Sequence, residues 1–255
     1  MRALRYATFL AGLAFLALGL AFAFQLPAAT SLWPWPDGPL SYLFIGSIFV
    51  AISAAALWIG WTGEFAALPA GALNVLVTSS MCSFYFGHLA GRDGRPELQA
   101  FAVGALLAAL ASAAAFVWSR RLSLNDARPM PSPVRASFWV FVVALVLGGA
   151  ALILRAPIFP WQLNPDSSVI FGAIFLGDAM YFLWGLLHPR WHNAAGQLLS
   201  FLAYDLMLIV PFLLLFRNVA PGHMLSLVLY VIVLIFSGAL AVYYLILDPA
   251  TRLGA

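Results

Sequence analysis

Charge is what this 255-residue chain has least of: charged residues make up 8% of it, and lysine is missing altogether. A soluble domain carries about a quarter charged residues and about half apolar ones. Here 64% of residues are hydrophobic. The chain lacks the polar residues needed to cover a water-facing surface, so its apolar excess faces lipid. All twelve cationic residues are arginine, which we read as a genome-level composition bias more than a functional feature. The net charge of +3 comes from loop arginines, and that spread excludes a nucleic-acid-binding patch. The single cysteine, Cys82, excludes an intramolecular disulfide framework and a cysteine-based zinc site. No Walker loop, Rossmann glycine fingerprint or G-x-S-x-G nucleophile turn occurs. No cofactor is therefore expected.

What the sequence has in abundance is long apolar runs. Eight of them reach the length of about 20 residues that crosses a hydrocarbon core of roughly 30 Å. They lie near Tyr6–Leu26, Leu40–Trp61, Ala66–His88, Leu98–Trp118, Ala136–Leu154, Ser167–Leu187, Ala194–Phe216 and Met224–Leu247. The first follows Arg2 and Arg5 and resembles a signal peptide, but its apolar stretch is longer than a signal's usual core. We read it as a span.

The chain also repeats itself. Without a gap, Pro34, Trp35, Pro39 and Ser41 fall on Pro160, Trp161, Pro165 and Ser167, 126 residues later. Gly46, Phe49, Leu57 and Trp58 fall on Gly172, Phe175, Leu183 and Trp184 in the same register. Such self-similarity marks an internal duplication. The expected fold is an all-α integral membrane protein of eight transmembrane helices, built as two parallel four-helix repeats. The first repeat covers residues 1–118, a flexible Arg/Pro/Ser linker covers 119–135, and the second repeat covers 136–255. An even number of spans per repeat sends both halves into the membrane in the same direction.

Orientation follows from counting arginines. With the N-terminus inside, Arg2, Arg5, Arg120, Arg121, Arg128, Arg135, Arg190 and Arg252 are cytoplasmic, and Arg92, Arg95, Arg155 and Arg217 are not. Eight against four predicts both termini in the cytoplasm. Trp33, Trp35 and Trp161 then mark the outer interface and the other tryptophans the inner one, as an aromatic belt requires.

Two carboxylates fall inside predicted spans. Asp178, in FLGDAMYF, and Asp205, in FLAYDLML, each lie near the bilayer centre on adjacent, antiparallel spans. A charge there costs at least about 2.5–3.5 kcal/mol on the insertion scale, and such residues mark functional pathways. If the two face one another in a dry interior they share or exchange a proton, with Tyr181 and Tyr204 as hydroxyl partners. The alternative is that each is hydrogen-bonded across helices. The first half carries Ile52 and Ser79 at the matching positions, with Asn74 and Thr78 nearby as helix-bridging groups. The P-W-P-D-G-P and P-W-Q-L-N-P stretches predict stiff outer turns, either plain interfacial turns or a lid, with Asp37, Asn164 and Asp166 suited to capping the next helix. His188 and His192 are four apart, but Pro189 and a loop position argue against a metal site.

Intramembrane aspartyl proteases also use two mid-membrane aspartates. Their Tyr-Asp precedes their Gly-x-Gly-Asp, whereas here Leu176-Gly177-Asp178 comes before Tyr204-Asp205, and the order rejects the kinship. The repeated element Trp33-Pro34-Trp35, Pro39 and Ser41, then Phe159-Pro160-Trp161, Pro165 and Ser167, resembles a group of bacterial polytopic membrane proteins with tandem W/F-P-W turns. That resemblance implies the bacterial inner membrane and carries no activity. The leading expectation is a non-enzymatic protein that binds or translocates a small solute through Asp178 and Asp205. An accessory or scaffold subunit, binding membrane-protein partners or a second copy, is the alternative, and an intramembrane diaspartyl hydrolase the remote one.

Overall fold

The computed structural model describes residues 2–253. Among them, eight helices are long and apolar enough to cross a membrane, and the chain is an all-α, polytopic membrane protein. The membrane-length helices are α1 (Arg2–Ala23), α3 (Pro39–Thr62), α4 (Leu68–Asp93), α5 (Pro96–Ser119), α6 (Ser132–Ile153), α7 (Pro165–Leu187), α8 (Trp191–Leu215) and α9 (Met224–Val242). A one-turn helix, α2 (Pro27–Thr30), sits in the first connection. Expected and observed ends agree to within five residues. The third span runs on to Asp93, so His88 lies inside it instead of at its end.

Local sequence explains where the helices begin and end. Proline stands in the first two positions of α3, α4, α5 and α6, where its missing N–H costs nothing and its fixed φ suits the helix. Gly63 and Gly94 close α3 and α4 with φ of 78° and 64°, the left-handed region that stops a helix. Gln25 and Arg155 take the same region at φ 53° and 60°, just past α1 and α6. In each case the next amide reaches back to close the turn, Leu26 to the Ala21 carbonyl and Ala156 to the Ala151 carbonyl.

The chain divides into two compact units, each drawing helices from both halves of the sequence. One comprises residues 1–64, 157–164 and 194–255. Within it α1 packs along α3, and glycines let the two approach: a Cβ on Gly46 would stand 2.6 Å from the Gly19 carbonyl oxygen. Arg5 closes the far end of this pair by donating to the Gly60 and Trp61 carbonyls at the C-terminus of α3. α9 buries a single stripe, Leu227, Val231, Leu234, Ser237 and Ala241, at helical spacing.

The other unit comprises residues 65–156 and 165–193. α4 packs on α5 and α7, and α7 packs on α6. Half of the apolar window of α7 is buried (50%) against 11% of that of α5, so α7 is the central helix and α5 the most lipid-facing. Gly149 and Gly172 set the α6–α7 crossing, where a Cβ on Gly172 would come within 2.7 Å of the Gly149 carbonyl. The segment expected as a flexible linker is held in place: Met130 donates its amide to the Pro189 carbonyl and Trp191 donates to Arg128, while Arg128 clasps Asp126 at 2.7 Å. That contact holds the Asp126 carboxyl below its ordinary range.

Candidate functional site

Asp178 sits 13 residues into α7, about 20 Å from the start of that helix. Its partner is Asn74 of α4, whose amide donates to Oδ1 at 2.6 Å. Thr78, one turn along α4, lies 3.2 Å from Asn74 Oδ1 and 3.4 Å from the Ala173 carbonyl of α7. The Thr78 hydroxyl thus stands within reach of acceptors on both helices, at the end of a polar row. Gly177 makes the row reachable. A Cβ there would be 2.5 Å from Asn74 Oδ1 and 2.8 Å from its carbonyl, and would collide with Thr78 Oγ1. Asp178, Asn74 and Thr78 are all half-buried.

The row ends beside a cavity of about 590 Å³ between α4, α6 and α7. Its wall includes Ser80, Tyr85, Arg155, Ile170 and the same Ala173 whose carbonyl Thr78 reaches. Arg155, Tyr85 and Asp166 form a polar cluster at its rim: Tyr85 donates to Asp166 Oδ1 at 2.6 Å, and Arg155 donates to both, at 3.2–3.3 Å. Asp166 therefore serves two roles, as an acidic first-turn residue that suits the positive end of α7 and as an anchor for Arg155.

Asp205 belongs to the other unit. It is 4% exposed, and neither of its oxygens has a hydrogen-bond partner among the described residues. Ser237 of α9 is its neighbouring hydroxyl, but that proton goes to the Val233 carbonyl at 2.7 Å. Gly238 leaves room for the carboxyl; a Cβ there would meet Asp205 Oδ2 at an ordinary 3.4 Å. Tyr204 is not the expected hydroxyl partner of Asp205, since Asp205 accepts from none of the described residues. Its ring instead lies edge-on to Phe44. The Tyr181 ring packs on Phe182. The group that sequence reasoning did not join to Asp178 is Asn74, 104 residues away.

The two W/F-P-W turns are held by side chains. Trp33 donates to Asp37 at 2.8 Å and Trp161 donates to Ser41 at 3.0 Å. Phe159 and Trp161 then pack with Phe44, Phe212 and Tyr230 in one aromatic cluster. Asp37 does not cap α3 as expected. Gly38 is the cap, without a side-chain bond, because the Asp37 carboxylate is turned to the Trp33 indole.

No family model, curated protein or solved structure matches the chain. What it does has to be argued from these side chains.

Proposed function

We propose that this membrane protein binds or translocates a small solute at a site centred on Asp178, with protons taken up and released at Asp178 and Asp205. One observation carries the reading: the polar row from Asp178 through Asn74 to Thr78 ends at a wall residue of the 590 Å³ cavity. Intramembrane carboxylates that touch a cavity are characteristic of ion and proton pathways. Thr78, with one proton and two acceptors, is suited to pass a change at the cavity wall on to Asn74 and Asp178. We place the arginine-rich ends of the helices in the cytoplasm of a bacterial cell, with both termini inside.

We also read the chain as two parallel four-helix repeats. The left-handed turns at Gln25 and Arg155 and the glycine crossings Gly19–Gly46 and Gly149–Gly172 support that reading. The two turns stand 130 residues apart instead of 126, and the one-turn helix α2 lies in the longer first connection.

The packing of Asp205 favours a second reading, an accessory subunit whose carboxyls only shape the interior, since none of the described residues donates a hydrogen bond to it and the Ser237 hydroxyl beside it serves its own helix. The diaspartyl hydrolase alternative draws no support from the partners of either carboxylate.

The test is infrared titration of the protonated-carboxyl band in the full chain, reconstituted in liposomes loaded with a pH-sensitive dye. Asp178→Asn should remove one titrating band and the dye-reported proton uptake, and Asp205→Asn should remove another band. If neither substitution alters the titration or the proton uptake, the accessory reading takes over.

A further inference from the structure

The wall of the cavity between α4, α6 and α7 has a one-sided chemistry. Among the described residues it holds one cation, Arg155, no carboxylate, and two hydroxyls, on Ser80 and Tyr85. The rest is apolar, chiefly Met81, Phe84, Ile153, Val169 and Ile170. Both hydroxyl protons are already committed, that of Ser80 to the Leu76 carbonyl at 2.7 Å and that of Tyr85 to Asp166 at 2.6 Å. The Arg155 guanidinium is therefore the side-chain donor left to a ligand.

Arg155 is both held and reachable. It follows α6 at φ 60°, and its Nη2 donates to Tyr85 and Asp166 at 3.3 and 3.2 Å. A guanidinium carries five N–H donors. Those on Nε and Nη1 are taken by none of the described residues, and the side chain stays 48% exposed. Asp166 lies outside the wall and divides its Oδ1 between Arg155 and Tyr85. Phe84, in the wall, is 80% exposed, so the cavity opens on the lipid-facing side of α4.

This wall excludes several kinds of ligand. A sugar or polyol would press its hydroxyls against hydrocarbon, where each unmet group is costly. A zwitterion would find no carboxylate in the wall for its ammonium. A bare inorganic anion would leave the apolar side chains uncovered. From the wall we infer that the cavity binds a single-chain amphipathic carboxylate, with its head on Arg155 and its hydrocarbon chain along Met81, Phe84, Ile153 and Ile170. The inference rests on the reading above and gives its small solute a chemical class. The volume of about 590 Å³ lies within the roughly 300–1,000 Å³ of small-molecule sites. A guanidinium–carboxylate contact is charge-assisted and stronger than a neutral hydrogen bond. An anionic phospholipid carries the same two chemistries, but its two chains would leave most of it outside a cavity of this size.

The experiment is photolabelling of the full chain, in nanodiscs of phosphatidylcholine, by decanoic acid with a diazirine near its chain end. Peptide mass spectrometry should place the label around Met81, Ile153 and Ile170. Excess decanoate should suppress it, whereas decanol, with the same body and no charge, should not. Arg155→Gln should weaken labelling about tenfold or more. Arg155→Lys, which keeps the cation, should weaken it less, and Arg217→Gln should leave it unchanged. Equal competition by decanol and decanoate in the wild-type chain would overturn the inference whether or not the variants fold. So would competition by phosphatidylglycerol with none by decanoate, or undiminished labelling of a folded Arg155→Gln variant. Labelling does not require proton uptake, so the two readings fail separately. If labelling is absent while Asp178→Asn still abolishes uptake, the ligand class falls and the proton site stands; the reverse result keeps the ligand and removes the proton site.

Discussion

Asp178 and Asp205 carry the same side chain within consecutive apolar helices, α7 and α8, and their surroundings differ in nearly every respect. Asp178 is half-buried, accepts from Asn74 at 2.6 Å, and connects through Thr78 to a cavity wall. Asp205 is 4% exposed, without a hydrogen-bond partner among the described residues, against a serine that gives its proton to its own helix. The difference teaches that a place inside an apolar helix does not by itself define a site. A carboxyl with a donor and a route to a cavity has something to respond to. One without a donor among the described residues lacks that coupling.

The glycine beside each aspartate offers the sharpest way to break the comparison. Gly177→Ala should be the most damaging change, because its Cβ would drive Asn74 and Thr78 off α7. We expect a loss of about 2–3 kcal/mol, as for overpacked interiors, read as a lower melting temperature of the full chain in detergent. An unchanged melting temperature would mean that α4 and α7 are not closely packed at Asp178.

Asn74→Ala should come next. It leaves Asp178 without its donor, at a cost of about 1–2 kcal/mol, and should also move the carboxyl band of Asp178 while leaving that of Asp205 in place. A shift of both bands would show that the two carboxyls titrate as one system. Gly238→Ala should have the smallest effect and the opposite sign. Its Cβ meets Asp205 Oδ2 at 3.4 Å, an ordinary contact, while alanine is the better helix former. Stability should hold or rise by about 0.5 kcal/mol, and a marked loss would show that the Asp205 pocket is tighter than its geometry indicates.

The eight spans were legible from sequence because hydropathy is a local property: about 20 consecutive apolar residues have few other places to go. The boundary prolines and the closing glycines, Gly63 and Gly94, act just as locally, each on its own backbone. The two intramembrane aspartates stood out because a charge in an apolar run is conspicuous. Their partners did not. Asn74 and Asp178 are 104 residues apart, and nothing in the spacing joins them. Asp37 looked like a helix cap because capping is a local habit, and an equally local bond, from the Trp33 indole four residues earlier, took its carboxylate instead.

By itself, then, the amino-acid sequence determined that this is a lipid-embedded, all-helical chain with two acidic residues inside its apolar helices, because the cost of exposing polar groups to hydrocarbon is read residue by residue. Tertiary structure alone decided which aspartate received a donor and which was left without one among the described residues. Those outcomes depend on which helix faces touch, and contacts between residues a hundred positions apart leave no mark in either segment alone.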